Sequence, residues 1–160
     1  MQNNVLSILL WNREVGRIYW DKKLSRAVFE YNPAFISAGI DIAPLSASIH
    51  SVAATRPILG SSEPVYQGLP PFIADSLPDK WGSLVFECWA KENNIRSKDI
   101  TPVDKLAYIG SRGMGALEFR PAVGLSAISG ELALSSLYSL AQRIFEERMD
   151  VMVLPEEWLT

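Results

Sequence analysis

The opening residues leave this chain little architectural freedom. Residues 5–11 form a short β-prone run ending at Trp11, and the polar Asn12-Arg13-Glu14 reads as a turn. Residues 15–20 supply a returning strand. After Asp21-Lys22-Lys23, residues 25–31 partly alternate polar and apolar side chains, as a half-buried strand does. Three such segments so close together predict an antiparallel meander.

Helical signals follow. Asn32-Pro33 has the form of an N-cap and first helical residue, with Gly39 as the stop, while residues 44–49 alternate again and predict a further strand. Residues 50–68 carry Pro57, Gly60, Pro64 and Gly68 without a usable period and read as mostly loop. Asp79 caps a predicted helix whose apolar stripe is Trp81, Leu84, Val85, Cys88 and Trp89, ending near Asn93-Asn94. Thr101-Pro102 opens another, through Val103, Leu106, Ala107 and Ile109 to a stop at Gly110. Residues 116–120 read as a strand closed by Pro121. Beyond it, Leu137, Leu140, Ala141, Ile144 and Phe145 share one face of a tail helix. The expected fold is α+β: an antiparallel sheet from the first strands and residues 116–120, with helices packed against it and a C-terminal tail helix. The expected division is a module over 1–123 and a linker with helix over 124–160.

At 160 residues, 48% apolar and 21% charged, the chain is suited to an ordinary globular domain. No apolar run reaches the roughly 18 residues of a membrane span, and the N-terminus lacks the basic flank of a secretory signal, so no membrane association and a cytoplasmic location are expected. The single cysteine, Cys88, has no intramolecular partner and reads as a small core hydrophobe. A net charge of −3 repels a phosphate backbone, so direct nucleic-acid binding is not expected. Lys91, Arg96 and Lys98 lie close together but read as a solvated helix end.

Few residues could carry chemistry. The glycine-rich residues 110–115 follow a predicted helix and precede a strand, whereas a P-loop opens a helix and ends in Gly-Lys-Ser/Thr. A kinase glycine loop lies between strands and needs a later lysine, and no Lys follows Gly115. These glycines therefore read as a tight connection. His50 is the only histidine and reads as a loop or strand-end residue, which leaves zinc improbable. Asp75 and Asp79 flank Ser76-Leu77-Pro78 and suit capping at a turn or helix start. No catalytic, cofactor-binding or metal-binding residue is assigned.

Two stretches nevertheless resemble the N-terminal region of HipA-like serine/threonine kinases, the toxin halves of bacterial toxin–antitoxin pairs. Residues 68–82, from Gly68-Leu69-Pro70-Pro71-Phe72 to Leu77-Pro78-Asp79-Lys80-Trp81-Gly82, are similar to the family's "F…LPD-x-x-G" segment, which opens a helix. Residues 104–117, with Ile109-Gly110 and Gly115-Ala116, are similar to its "L…IG-x-x-x-x-GA" segment. Their order and spacing agree with the family over about residues 5–121. Trp81, Gly82, Gly110, Gly115 and Ala116 are structural in this reading: Trp81 begins a core stripe, Gly110 ends a helix, and Gly115-Ala116 lets the next strand pack closely.

The resemblance implies a non-catalytic module that packs on a kinase body, in cis or in trans, and takes part in assembly with a helix-turn-helix antitoxin. The family's catalytic aspartates and ATP loop find no match here, so ATP and Mg are implied only for a kinase domain outside this chain. A piece of a longer polypeptide is the expected origin, with a free-standing protein that restrains a separate kinase as the alternative. Ser76, Leu77, Pro78, Asp79 and Trp158 are the candidate interface residues. A nucleotide-binding enzyme using the loop from Gly110 to Gly115 is the competing expectation, and Mg-ATP separates the two. A site there, with ligand at about 100 times Kd, adds about 2.7 kcal/mol and raises Tm; the docking reading expects no change in a thermal melt.

Overall fold

The computed structural model describes residues 5–113 and 115–122, all within one compact unit, residues 1–124. The tail-helix expectation over residues 124–160 and Trp158 lie outside the described residues.

Strand β1 (Leu6–Leu10) pairs with β2 (Arg13–Asp21) across a turn of only Trp11 and Asn12. Both turn residues have positive φ, 49° and 62°, the backbone that matches the twist of a two-residue hairpin. Arg13 and Glu14, expected in the turn, are already in the strand. The meander continues to β3 (Arg26–Tyr31). A two-residue strand β4 (Ile58–Leu59) and a distant strand β5 (Leu117–Arg120) complete an antiparallel sheet of order β4-β3-β2-β1-β5.

One face of the sheet is the core. Leu6, Ile8 and Leu10 of β1, Ala27, Phe29 and Tyr31 of β3 and Phe119 of β5 are all buried on it. A fully buried side chain of this size contributes about 1.5–3 kcal/mol. The register shifts between Ile8 and Leu9, so that Ile8 faces Gly16 but Leu9 faces Glu14, leaving Val15 as an extra residue. Without this bulge Glu14 would share the apolar face with Gly16 and Ile18. It lies instead on the other face, where Ser7 Oγ (3.0 Å), Arg17 Nε (2.9 Å) and Asn32 Nδ2 (3.0 Å) donate to its carboxylate. Arg17, first among these, holds the Glu14 carboxyl below its ordinary range.

Helix α1 (Pro33–Ser37) starts as expected, Asn32 accepting from the Ala34 N–H at 2.9 Å, and Gly39 follows with φ 73°. The strand expected over residues 44–49 is absent. Asp41 accepts from Ser48 Oγ (2.6 Å) and the Ala43 N–H (3.2 Å), and the Ala43 carbonyl takes the Ala47 N–H at 2.9 Å, so local bonds turn the chain before it can extend. The Tyr31 hydroxyl donates to the Ala47 carbonyl at 2.8 Å and ties this turn to the core. Burial, with the Asp41 charge second, pushes the Tyr31 phenol up to about 12, which keeps the proton it donates.

Residues 58–70 seal the free edge of β3. The Ala27 N–H donates to Gly68, the Gly60 N–H donates to Ala27, and Ser61 donates to Leu69, all within 2.8–3.0 Å. Leu69 and Pro70 are thereby fully buried, and the short helix α2 (Pro71–Ala74) follows with Ile73 in the core. Phe72 meets the Phe29 ring edge-on at 5.3 Å.

Helix α4 (Pro102–Ile109) carries both halves of a capping box between Thr101 and Asp104 and packs Val103, Leu106, Ala107 and Ile109 into the sheet core. It ends at Gly110, whose φ of 58° an L side chain rarely adopts and where a Cβ would lie 2.7 Å from Ala122 Cβ. The Gly110 carbonyl accepts the Phe119 N–H at 3.0 Å. Close packing belongs to Gly110 and not to the later pair: a Cβ on Gly115 would meet nothing within 4 Å, and Ala116 is exposed, against the expectation for that pair. Gly110→Ala should cost more than about 1 kcal/mol in urea unfolding, whereas Gly115→Ala should stay within about 0.5 kcal/mol of the parent.

Candidate docking surface

The candidate interface residues Ser76 to Asp79 lead into helix α3 (Lys80–Glu92), whose start is built by a few local contacts. Asp79 has extended backbone and its carboxylate accepts the Gly82 N–H at 2.7 Å, as the N-cap expectation requires. Pro78 lies against the first turn so closely that a Cβ on Gly82 would come within 2.8 Å of Pro78 Cβ. Ser83 Oγ also donates to the Pro78 carbonyl at 3.4 Å. Pro78, Asp79 and Gly82 thus form one device: proline fixes the approach, aspartate accepts a free N–H, and the absence of a side chain at Gly82 makes room. Helix α3 ends at Asn93, as expected.

The expected stripe meets a correction. Of the five residues expected in it, Trp81 is 51% exposed, Leu84, Val85 and Cys88 are only half-buried, and Trp89, also half-buried, alone joins the aromatic contact with Tyr108. The buried residues of α3 are Phe86 and Ala90, on the opposite side of the helix, each 2% exposed. Phe86 and Trp89 reach the Tyr108 ring of α4 at 5.0 and 4.9 Å between centroids. No residue of α3 belongs to the buried sheet core. A second aromatic group, formed with α4, therefore chooses which side of α3 is covered, and the reading of Trp81 as a core residue is overturned.

The candidate interface residues lie around this helix start. Ser76, Leu77 and Pro78 are half-buried, Leu77 packing against the core, and Asp79 is exposed. Asp75 stands at the C-cap of α2, and His50 is exposed in a turn. Lys91, Arg96 and Lys98 are solvent-facing, with Arg96 paired to Asp99 at 2.7 Å. The two recognised stretches meet in space, because Asp75 and Ser76 line one groove together with Gly115, Ala116 and Leu117. What sequence reasoning missed was the outward face of α3. An apolar stripe bounds a helix's possible contacts without saying which neighbour takes them.

The glycine loop is poorly suited to phosphate. It lies at the C-terminal end of α4, where the unpaired carbonyls carry partial negative charge. Its one cation, Arg112, is turned back onto that end: Nη2 donates to the Tyr108 carbonyl, Nε to that of Ile109 at 3.4 Å, and the guanidinium lies 5.1 Å from the Tyr108 ring centre. Among the described residues no cluster of His, Cys, Asp and Glu could hold a metal ion, and no helix is long and apolar enough to cross a membrane.

The capping device at α3 is testable without any partner. Asp79→Ala should cost about 1 kcal/mol. Gly82→Ala should lower the thermal midpoint although helix propensity alone favours alanine by about 1 kcal/mol, because the new Cβ meets Pro78. A rise in Tm on Gly82→Ala would remove the close approach as the reason for this glycine.

The family model described as the HipA N-terminal domain matches residues 6–120. No curated protein matches the chain.

Proposed function

The chain belongs to the HipA N-terminal domain family, and from that premise we propose that it is a non-catalytic docking module of a HipA-like toxin kinase system. It packs on a kinase domain and helps assemble that domain with a helix-turn-helix antitoxin. The observation that carries this reading is the apolar stripe of α3. Trp81 stands half-exposed beside Leu84, Val85 and Cys88, while the opposite side of the same helix is already taken by Tyr108. Apolar surface of this kind, with an aromatic at its head, is what partner surfaces offer.

Ser76, Leu77, Pro78 and Asp79 lead into Lys80 and Trp81 in the chain and are placed at the margin of the same surface, Ser76 also lining the neighbouring groove. No residue of the family's phosphoryl-transfer machinery is assigned to this chain, and ATP and Mg belong with the kinase domain. In this reading the module works by holding the kinase, whether joined to it or as a separate chain that restrains it in the cytoplasm.

The test is titration of the 160-residue chain against a separately produced HipA-like kinase domain, followed by calorimetry. Binding in the micromolar range is expected, and Trp81→Ala, at a half-exposed side chain, should weaken it by about 30-fold, or about 2 kcal/mol. No complex at about 100 μM, or binding indifferent to Trp81→Ala, would overturn docking through α3.

A further inference from the structure

A second surface, none of whose lining residues belongs to α3, has its own chemistry. The groove where the two stretches meet has a volume of about 360 Å³ and is lined by Leu10, Ile42, Phe72 and Leu117, with Asp75 and Ser76 as its polar side chains. Asp75 is exposed, and among the described residues its carboxylate has no hydrogen bond or ion pair. The apolar wall offers burial, and the lone carboxylate at its edge selects for positive charge and against negative charge. Trp11, the residue after Leu10, is 73% exposed at the hairpin tip with φ 49°.

We propose that this groove binds an apolar peptide segment of a partner protein carrying one Lys or Arg, its aliphatic side chains against Leu10, Phe72 and Leu117 and its cation on Asp75. The proposal rests on the reading of the chain as a docking module and adds a second, charge-selective contact to it. Positive charge distinguishes the ligand from acidic segments, which Asp75 repels. Ala116 is exposed at the groove, so a long side chain there covers it from the solvent side.

The test uses the full chain and a random 12-residue phage-displayed peptide library, counter-selected on Ala116→Trp. Enriched peptides should carry one Lys or Arg flanked by aliphatic residues. As synthetic peptides they should bind in the micromolar range, weaken by about tenfold on Asp75→Lys, and regain affinity for Asp75→Lys when their own cation is changed to Glu. Circular dichroism melts of both variants check that they remain folded. Acidic or uncharged winners, no enrichment over the Ala116→Trp control, or dimerisation of the chain abolished by Ala116→Trp in sedimentation would each overturn the proposal, the last in favour of a second copy. The two readings fail separately: a kinase domain that binds through Trp81 while the library yields nothing sinks only the groove, and groove peptides without kinase binding sink only the α3 contact.

Discussion

The fold depends on one long-range pairing, that of β1 with β5. These strands lie at opposite ends of the described chain, with Ile8 opposite Phe119, and bringing them together carries a loop-closure entropy cost that contacts at the seam must offset. Helix α4 reduces the problem. It delivers four buried side chains to the sheet core and stops at Gly110, whose carbonyl receives the Phe119 N–H on the side of β5 away from β1. The strand is therefore held on both sides, and part of an otherwise open sheet edge is occupied by the chain itself. The glycine-rich connection is an anchoring device for β5, with its arginine directed at the helix carbonyls.

Similar economy governs the other elements. The bulge in β2 moves Glu14 off the apolar face and into a set of three donors, so the sheet keeps a continuous core without a buried charge. On the far edge, the Gly60 and Gly68 bonds to Ala27 substitute for a longer strand and bury Leu69 and Pro70. The conspicuous stretch around Gly68 thus begins as edge closure and ends, at Asp79, as the cap of a helix. One run of sequence connects the core to the surface assigned to docking.

That connection bears on function. Phe86, Trp89 and Tyr108 form an aromatic contact apart from the sheet core, and it is this contact that orients α3. With Phe86 and Trp89 against Tyr108 and Ala90 buried, Trp81 is left half-exposed at the head of the half-buried Leu84, Val85 and Cys88. The helix thus carries apolar residues on more than one side, Phe86 and Ala90 buried and Trp81 half-exposed.

Local rules were written plainly in the residues. Asn32, Asp79 and Thr101 each cap the helix that follows, and Gly39 and Gly110 mark ends, because a cap needs only its own few neighbours. The three-strand meander and the addition of residues 117–120 to its sheet were legible for the same reason, through alternation and turn residues. Three features were not legible in the spacing, one decided by local side-chain bonds and two by tertiary contact. Residues 44–49 alternate but turn, since Asp41 offers nearer hydrogen-bond partners than any strand; the β2 bulge exists because Glu14 must leave the core; and α3 buries Phe86 in place of Trp81 because Tyr108 is where it is. Spacing along a chain defines which side chains share a face, whereas the choice of the face that meets water belongs to whichever neighbours the folded structure brings against it.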